Sequence, residues 1–501
     1  MGILTWQGIL ALILGGLYGA VFGAIPGLTA TLAVALFIPI AFFLDPVLAL
    51  PAIISISSVA IFAGDVGSVV ARIPGTPASA AYLEELHDLS RRKGPIYALG
   101  ISAMGSAVGG VIGTIILIFS ATGLAALAKN FSSFEYFWIA VLGLTAGVFA
   151  SGGSPLKGFI SLLIGLFFAT VGIDPTLGYP RFDFGNINLL GGLNYIVAMI
   201  GLFGFSEVLE HLYSGSAKRY STAPKARTAS LGRFYLGPLL LILKNYWLVF
   251  RSALLGTFVG FLPGAGADIG AWVASSLQKM LALRSRPARA KASAVEDIEI
   301  DRVVLAGTSS NNAAVASAWI PALSLGLPGD TVTAIVLGVF LMKGITPGPL
   351  LFQNEPGLVW ALYSTFLLSS VVLLPVFGYF TARLAELVVR VPLNLLLSVI
   401  AALCVVGAFA INNNPFDVWV MVAMGVFAFL LKRGGFPLAQ VVLGMVLGPI
   451  MEQNFVVSAI KSRWNAASFF NRPLAIVLMI TTVILIVVGL RLRIGADAEV
   501  E

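Results

Sequence analysis

Phe22-Gly-Ala-Ile-Pro-Gly-Leu-Thr-Ala-Thr31 and Val259-Gly-Phe-Leu-Pro-Gly-Ala-Gly-Ala-Asp268 decide how this chain folds. Each sets a Pro-Gly dipeptide inside a run that is otherwise apolar. A second pair of dipeptides comes later, Pro74-Gly75 in the first half and Pro328-Gly329 in the second. Proline and glycine stop a helix and free backbone N–H and C=O groups. In lipid those groups need partners, so such breaks are tolerated only where protein or a water-filled cavity meets them. Breaks at matching places in two halves point to a solute site between the halves of a transporter.

Composition supports the membrane setting. The 501 residues are 58% hydrophobic and 11% charged, with a mean hydropathy of +0.97. A soluble domain carries about 25% charged residues. Apolar runs such as Leu4–Phe22, Val47–Phe62, Val108–Leu127, Phe134–Phe149, Ala361–Phe377 and Ala475–Leu490 recur along the chain. At about 20 apolar residues per crossing, they and their connectors predict about 10–14 membrane segments. The expected fold is an all-α polytopic membrane protein with broken helices or re-entrant hairpins at the Pro-Gly motifs. Met1-Gly-Ile-Leu-Thr-Trp-Gln has no basic region or small-residue cleavage site ahead of the next apolar run, so it reads as the first membrane segment.

Three local matches suggest two repeats. The first is the opening pair of stretches. Arg72-Ile-Pro-Gly-Thr-Pro-Ala-Ser-Ala80 pairs with Gly326-Leu-Pro-Gly-Asp-Thr-Val-Thr-Ala334, and Phe149-Ala-Ser-Gly-Gly-Ser-Pro155 with Phe409-Ala-Ile-Asn-Asn-Asn-Pro415. Equivalent connectors tend to differ in charge. Arg91-Arg92-Lys93 answers to a stretch with Lys343 alone, and the basic segment 284–302 answers to the neighbourhood of Asp45, which has no cation. Opposite charge character fits two inverted structural repeats, 1–230 and 231–501, joined through the basic linker 214–233. The positive-inside rule places the basic connectors in the cytoplasm, Lys432-Arg433 among them.

The chemistry narrows further. The net charge of +7 is spread over short connectors, so anionic lipid headgroups account for it and nucleic acid is not expected. The single cysteine, Cys404, reads as a small buried hydrophobe. With only His87 and His211, and with no His-Glu-x-x-His or Asp-Asp-x-x-Asp, a membrane-embedded enzyme is disfavoured, and no cofactor or metal is expected beyond a coupling Na⁺ or H⁺.

The breaks define the candidate site. Solute-binding candidates are Pro26, Gly27, Thr29 and Thr31; Arg72, Pro74, Gly75, Thr76 and Ser79; Pro263, Gly264 and Gly266; Asn311 and Asn312; and Pro328, Gly329 and Thr331. Half-helix N-termini after each Pro-Gly present free N–H groups and positive dipole ends that attract a carboxylate. Asp65, Asp268 and Asp330, with Ser57 and Ser58, are ion-coupling candidates, because a carboxylate at mid-bilayer costs about 2.5–3.5 kcal/mol even on the insertion scale. The Asp residues also suit helix caps. Arg72 falls seven residues after Asp65, on the same face if the helix continues, as its ion partner or as a fork for a carboxylate.

Gly23-Ala-Ile-Pro-Gly-Leu-Thr-Ala30, Ile73-Pro-Gly-Thr-Pro-Ala-Ser-Ala80, Gly260-Phe-Leu-Pro-Gly-Ala-Gly-Ala267, Asn311-Asn-Ala-Ala314, Ile320-Pro-Ala-Leu-Ser-Leu-Gly-Leu-Pro-Gly329 and Lys343-Gly-Ile-Thr-Pro-Gly-Pro-Leu-Leu-Phe352 together resemble the large membrane subunit of the tripartite tricarboxylate transporters, the TctA-type family. The resemblance implies a secondary transporter of organic carboxylates in the bacterial inner membrane, driven by a sodium or proton gradient. It also implies a small membrane subunit and a periplasmic solute-binding protein as partners. The alternative is a carrier or channel for a cation or other small solute, independent of a binding protein.

Overall fold

A computed structural model of the protein describes residues 5–25, 28–150, 154–174, 178–214, 230–262, 266–284, 296–388 and 393–498. Pro26, Gly27, Pro263, Gly264 and most of the expected linker lie outside the described residues.

The chain is helical nearly throughout, apart from a two-residue antiparallel ladder between Gly172–Ile173 and Pro180–Arg181. Helices α1 (Trp6–Ala24), α2 (Ala30–Phe43), α3 (Pro46–Ala63), α4 (Asp65–Ala71), α5 (Leu83–Lys93), α6 (Pro95–Ala128), α7 (Ser133–Ala150) and α8 (Pro155–Ala169) fill the first part. A long helix with a π turn, α9 (Tyr195–Tyr213), comes after them. Next are α10 (Gly232–Lys244) and α11 (Tyr246–Phe261), bent by 87° at their junction. Then come α12 (Gly266–Arg284), α13 (Glu296–Ser317), α14 (Trp319–Leu325) and α15 (Thr331–Met342). The last are α16 (Pro356–Ala385), α17 (Leu393–Asn412), α18 (Pro415–Arg433), α19 (Leu438–Lys461) and α20 (Pro473–Ala498).

Proline marks the beginnings. Pro46, Pro95, Pro155, Pro356 and Pro415 each start a helix, where the missing N–H costs nothing. Among the described residues seven helices are long and apolar enough to cross a membrane, or eight with the bent pair α10–α11. That is fewer than the 10–14 expected segments; six further helices, α2 and α15 among them, carry shorter apolar stretches. At 1.5 Å per residue the 14 residues of α2 and the 12 of α15 are too short to cross alone. The lipid-facing side chains are large and apolar, for example Phe43 and Phe119, each 75% exposed.

Glycines set the tightest packing. On α1, Cβ atoms at Gly15, Gly19 and Gly23 would strike the backbone of Ala52, Ile56 and Ala60 on α3. On α11, Gly256 and Gly260 meet Ser310 and Ala314 on α13 in the same way. Gly19 and Gly256, like Gly23 and Gly260, are 237 positions apart, the spacing of the opening motif. Without a hydrophobic force between helices in lipid, this backbone-to-backbone approach is what holds spans together. Two further crossings obey the same rule. Gly165 of α8 meets Val441 and Gly444 of α19, while Gly425 of α18 meets Gly201 and Phe205 of α9.

Candidate functional site

The site grows from two hairpin-like turns built alike. Helix α4 ends at Arg72 in the left-handed conformation (φ 57°), and α14 ends at Gly326 likewise (φ 72°). The chain then doubles back. Gly75 N–H donates to the Gly64 carbonyl at the α3–α4 junction (3.2 Å), and a Cβ at Gly75 would lie 2.5 Å from that oxygen. Gly329 packs identically on Ala318 at the α13–α14 junction, its Cβ position 2.5 Å from the Ala318 oxygen. Only glycine permits either approach.

The residue after each of these glycines caps a new helical turn. Thr76 N–H donates to Ser79 Oγ, and Ser79 N–H to Thr76 Oγ1, both at 3.1 Å. Asp330 N–H donates to Thr333 Oγ1 (2.8 Å), and Thr333 N–H to Asp330 Oδ1 (2.7 Å). Both are reciprocal boxes that satisfy the free donors of a helix start. Thr29 caps α2 by accepting from Leu32 N–H (3.2 Å).

These starts surround one cavity of about 330 Å³. Its wall includes Thr29 and Thr31 of the α2 start, Thr76 and Pro77, Gly266, Asp268 and Trp272 of α12, and Asp330 and Thr331 of the α15 start. Pro437, just ahead of α19, and Ala439, Gln440 and Leu443 of α19 complete the wall. The 76–78 segment is tied to α12 by two hydrogen bonds. Ala78 N–H donates to Asp268 Oδ1 (3.1 Å) and the Trp272 indole N–H donates to the Pro77 carbonyl (3.1 Å). Among the described residues no Lys, Arg or His lines the cavity, and no cluster of metal-ligating side chains occurs. Acceptors predominate: two carboxylates, and the buried Gln440, whose Oε1 has no partner while its Nε2 donates to the Gly147 carbonyl (2.7 Å).

The sequence candidates therefore divide. Thr29, Thr31, Thr76, Gly266, Asp268, Asp330 and Thr331 come together at the cavity. Gly75, Ser79 and Gly329 stand behind it as packing and caps. Pro328 is buried in its turn and Pro74 exposed in its own. Asn311 and Asn312 are buried on α13, with Asn312 Nδ2 donating to the Ser58 carbonyl (3.4 Å). Ser57 Oγ bonds back to the Ile54 carbonyl (3.0 Å). Ser57 and Ser58 lie in the α3–α13 packing, away from the cavity wall. Asp65 is buried apart, against Tyr82 and Ser102.

Arg72 is displaced from the expected position. The helix stops at Ala71, so Arg72 does not continue the face of Asp65. Its side chain is 59% exposed, and its Nε and Nη2 donate to Glu84 at 3.0 and 2.5 Å. These bonds hold the Glu84 carboxyl below its usual range. Sequence reasoning missed Gln440 and Trp272. A polar Gln440 just after Gly434-Gly-Phe-Pro437, another proline stop in an apolar run, was the available signal for the first.

Helix interruptions, glycine-packed apolar spans and a cavity walled by helix starts define a polytopic membrane protein. The chain belongs to the tripartite tricarboxylate transporter TctA family, whose model matches residues 9–443. It is thus a multi-pass transporter subunit, and its family points away from an enzyme. It is 31% identical over 497 residues, covering 97% of this chain and 94% of the relative, to the "Uncharacterized 52.8 kDa protein in TAR-I ttuC' 3'region" of Agrobacterium vitis. It is 33% identical over 224 residues, 44% of this chain and 87% of the relative, to the "Uncharacterized protein in TAR-II ttuC' 3'region" of the same organism. No solved structure matches the chain.

Proposed function

We propose that this chain carries a small organic carboxylate across the inner membrane of a bacterium, driven by an ion gradient, with a small membrane subunit and a periplasmic solute-binding protein as partners. One observation supports it above the others: four starts, at Thr29, Thr76, Gly266 and Thr331, face a single cavity. The dipole ends there, with the N–H groups that the caps leave unbonded, attract a carboxylate without lysine or arginine. In this reading Asp268 and Asp330 bind the coupling cation, Na⁺ or H⁺, which offsets the repulsion between their charges and the anion.

The two halves act as inverted repeats, with α1–α4 corresponding to α11–α14. Support comes from the matching glycine contacts, caps and left-handed helix ends. The halves differ in one respect that suits alternating access. Helix α2 packs against α17 and α9, whereas its counterpart α12 faces α19 across the cavity. Exchange of these two arrangements opens the site to the other side. The basic connectors, Arg91-Arg92-Lys93 and Lys432-Arg433, then face the cytoplasm.

A second reading, a cation carrier that works without a binding protein, is favoured by the two carboxylates and the unpartnered Gln440 Oε1. Uptake by proteoliposomes separates them. The first reading expects accumulation of a di- or tricarboxylate that depends on added binding protein. Saturable cation uptake with no carboxylate requirement supports the second.

A further inference from the structure

We propose that Asp65 is a second ion site, a carboxyl that carries a proton inside the helical core, and that segment 76–82 links it to the cavity. The proton site stands on its own geometry, while its link to cargo rests on the transporter reading.

Asp65 is 1% exposed. Its partners are two neutral hydroxyls: Ser102 Oγ at 2.5 Å from Oδ2, and Tyr82 OH at 3.1 and 3.2 Å from the two oxygens. The Tyr82 phenol also has the Asn311 side chain as a hydrogen-bonding neighbour. Asn311, 2% exposed, keeps its Oδ1 buried and without a partner, as does Ser68 Oγ one turn along α4. Among the described residues the pocket thus holds an unpartnered amide oxygen, an unpartnered hydroxyl and no cation.

Among the described residues, the helices packed against α4 supply no counter-charge to Asp65. On α5, Glu84 pairs with Arg72, Glu85 with Lys279 and Lys93 with Asp301. His87 faces the Ser68 carbonyl (3.3 Å), and Asp88, Arg91 and Arg92 are the helix's other charged groups. On α16, Arg383 sits over the Tyr379 ring (5.8 Å). Helix α6 brings Tyr97, beneath Lys93 (5.4 Å), α1 brings Tyr18, stacked on Phe22 (4.2 Å), and α3 has no titratable side chain. A buried carboxyl with only neutral partners is far cheaper as the acid than as the anion.

The link is short. Thr76 and Pro77 line the cavity, Asp268 and Trp272 grip Ala78 and Pro77, and the 3₁₀ turn Ser79–Tyr82 ends on the residue that bonds Asp65. The Tyr82 ring is wedged against Gly307 of α13. A shift at 76–78 therefore moves the phenol relative to Asp65. Losing that bond, which the phenol donates to the carboxyl, disfavours the anion, so the acid takes up and holds a proton from the aqueous phase; when the bond re-forms the anion is favoured again and the proton returns to that phase.

Infrared spectroscopy of the full chain in lipid nanodiscs tests this without any cargo. The expected result is a protonated-carboxyl C=O band at neutral pH that is lost in Asp65→Asn and shifted in Tyr82→Phe and Ser102→Ala. Should Asp65→Asn fail to fold, the shifts in the other two carry the test. Trp272→Phe, which removes only the indole bond at the cavity end, should also move the band. A missing wild-type band, or one insensitive to all these variants, overturns the proton site. A band that responds to Tyr82→Phe but ignores Trp272→Phe overturns the link. Neither failure touches the reading of the cavity.

Discussion

Adding one methyl group at Gly329 tests how the cavity is built. In Gly329→Ala the new Cβ would lie 2.5 Å from the Ala318 oxygen, 2.7 Å from its Cα and 2.9 Å from its Cβ. None of these is the free end of a flexible side chain. Ordinary contact begins at 3.4 Å, so the 326–330 turn must retreat by about 0.9 Å. Overpacking of this kind costs about 1–3 kcal/mol. The turn carries Asp330, whose side chain caps α15 and lines the cavity, so the strain falls on the site itself. If it emerges in cargo binding, the same energy is about 5- to 150-fold in affinity. Thermal unfolding in detergent and initial uptake rates in proteoliposomes measure the two shares. Gly75→Ala, with Gly64 O at 2.5 Å, should behave alike, and Gly123→Ala, with nothing within 4 Å, should match wild type. Wild-type stability and uptake in Gly329→Ala would refute the reasoning.

Three further outcomes are expected. Arg72→Gln should leave uptake unchanged, because the guanidinium sits in an exposed pair with Glu84 away from the cavity; a strong rise in KM would put it back at the site. Asp268→Asn keeps an oxygen for Ala78 N–H but loses the charge, so gradient-driven accumulation should collapse while solute exchange persists, as counterflow assays would show. Thr333→Val removes the hydroxyl half of the Asp330 box and should cost about 1 kcal/mol in unfolding, while Thr365→Val, whose hydroxyl only bonds back within its own helix, should cost less.

The membrane class was legible because composition and run length are one-dimensional signals. The positions of the turns were legible because proline and glycine act locally. Arg72 shows the limit: its seven-residue spacing from Asp65 has meaning only if the helix continues, and the left-handed cap at Arg72 ends it. Asp65 shows another. Nothing in the 64–68 stretch announces that Tyr82 and Ser102, from two other elements, will meet its carboxyl. Gln440 reaches the cavity through the contact of α19 with the α7–α8 pair, a long-range crossing that periodicity within one helix does not encode. Of the three Asp residues that suit helix caps, Asp330 caps α15, whereas Asp65 meets Tyr82 and Ser102 and Asp268 meets Ala78 N–H of another segment. Asp330 and Thr333, like Thr76 and Ser79, lie three residues apart just after a break, so local spacing is enough to place their boxes.

An electron cryomicroscopy map of the chain with a transported carboxylate bound tests the central claim most directly. The account predicts density for the anion between Thr29, Thr76, Gly266 and Thr331. Density elsewhere, for instance in the groove of Phe137, Glu452 and Phe455, with this cavity empty, would contradict it.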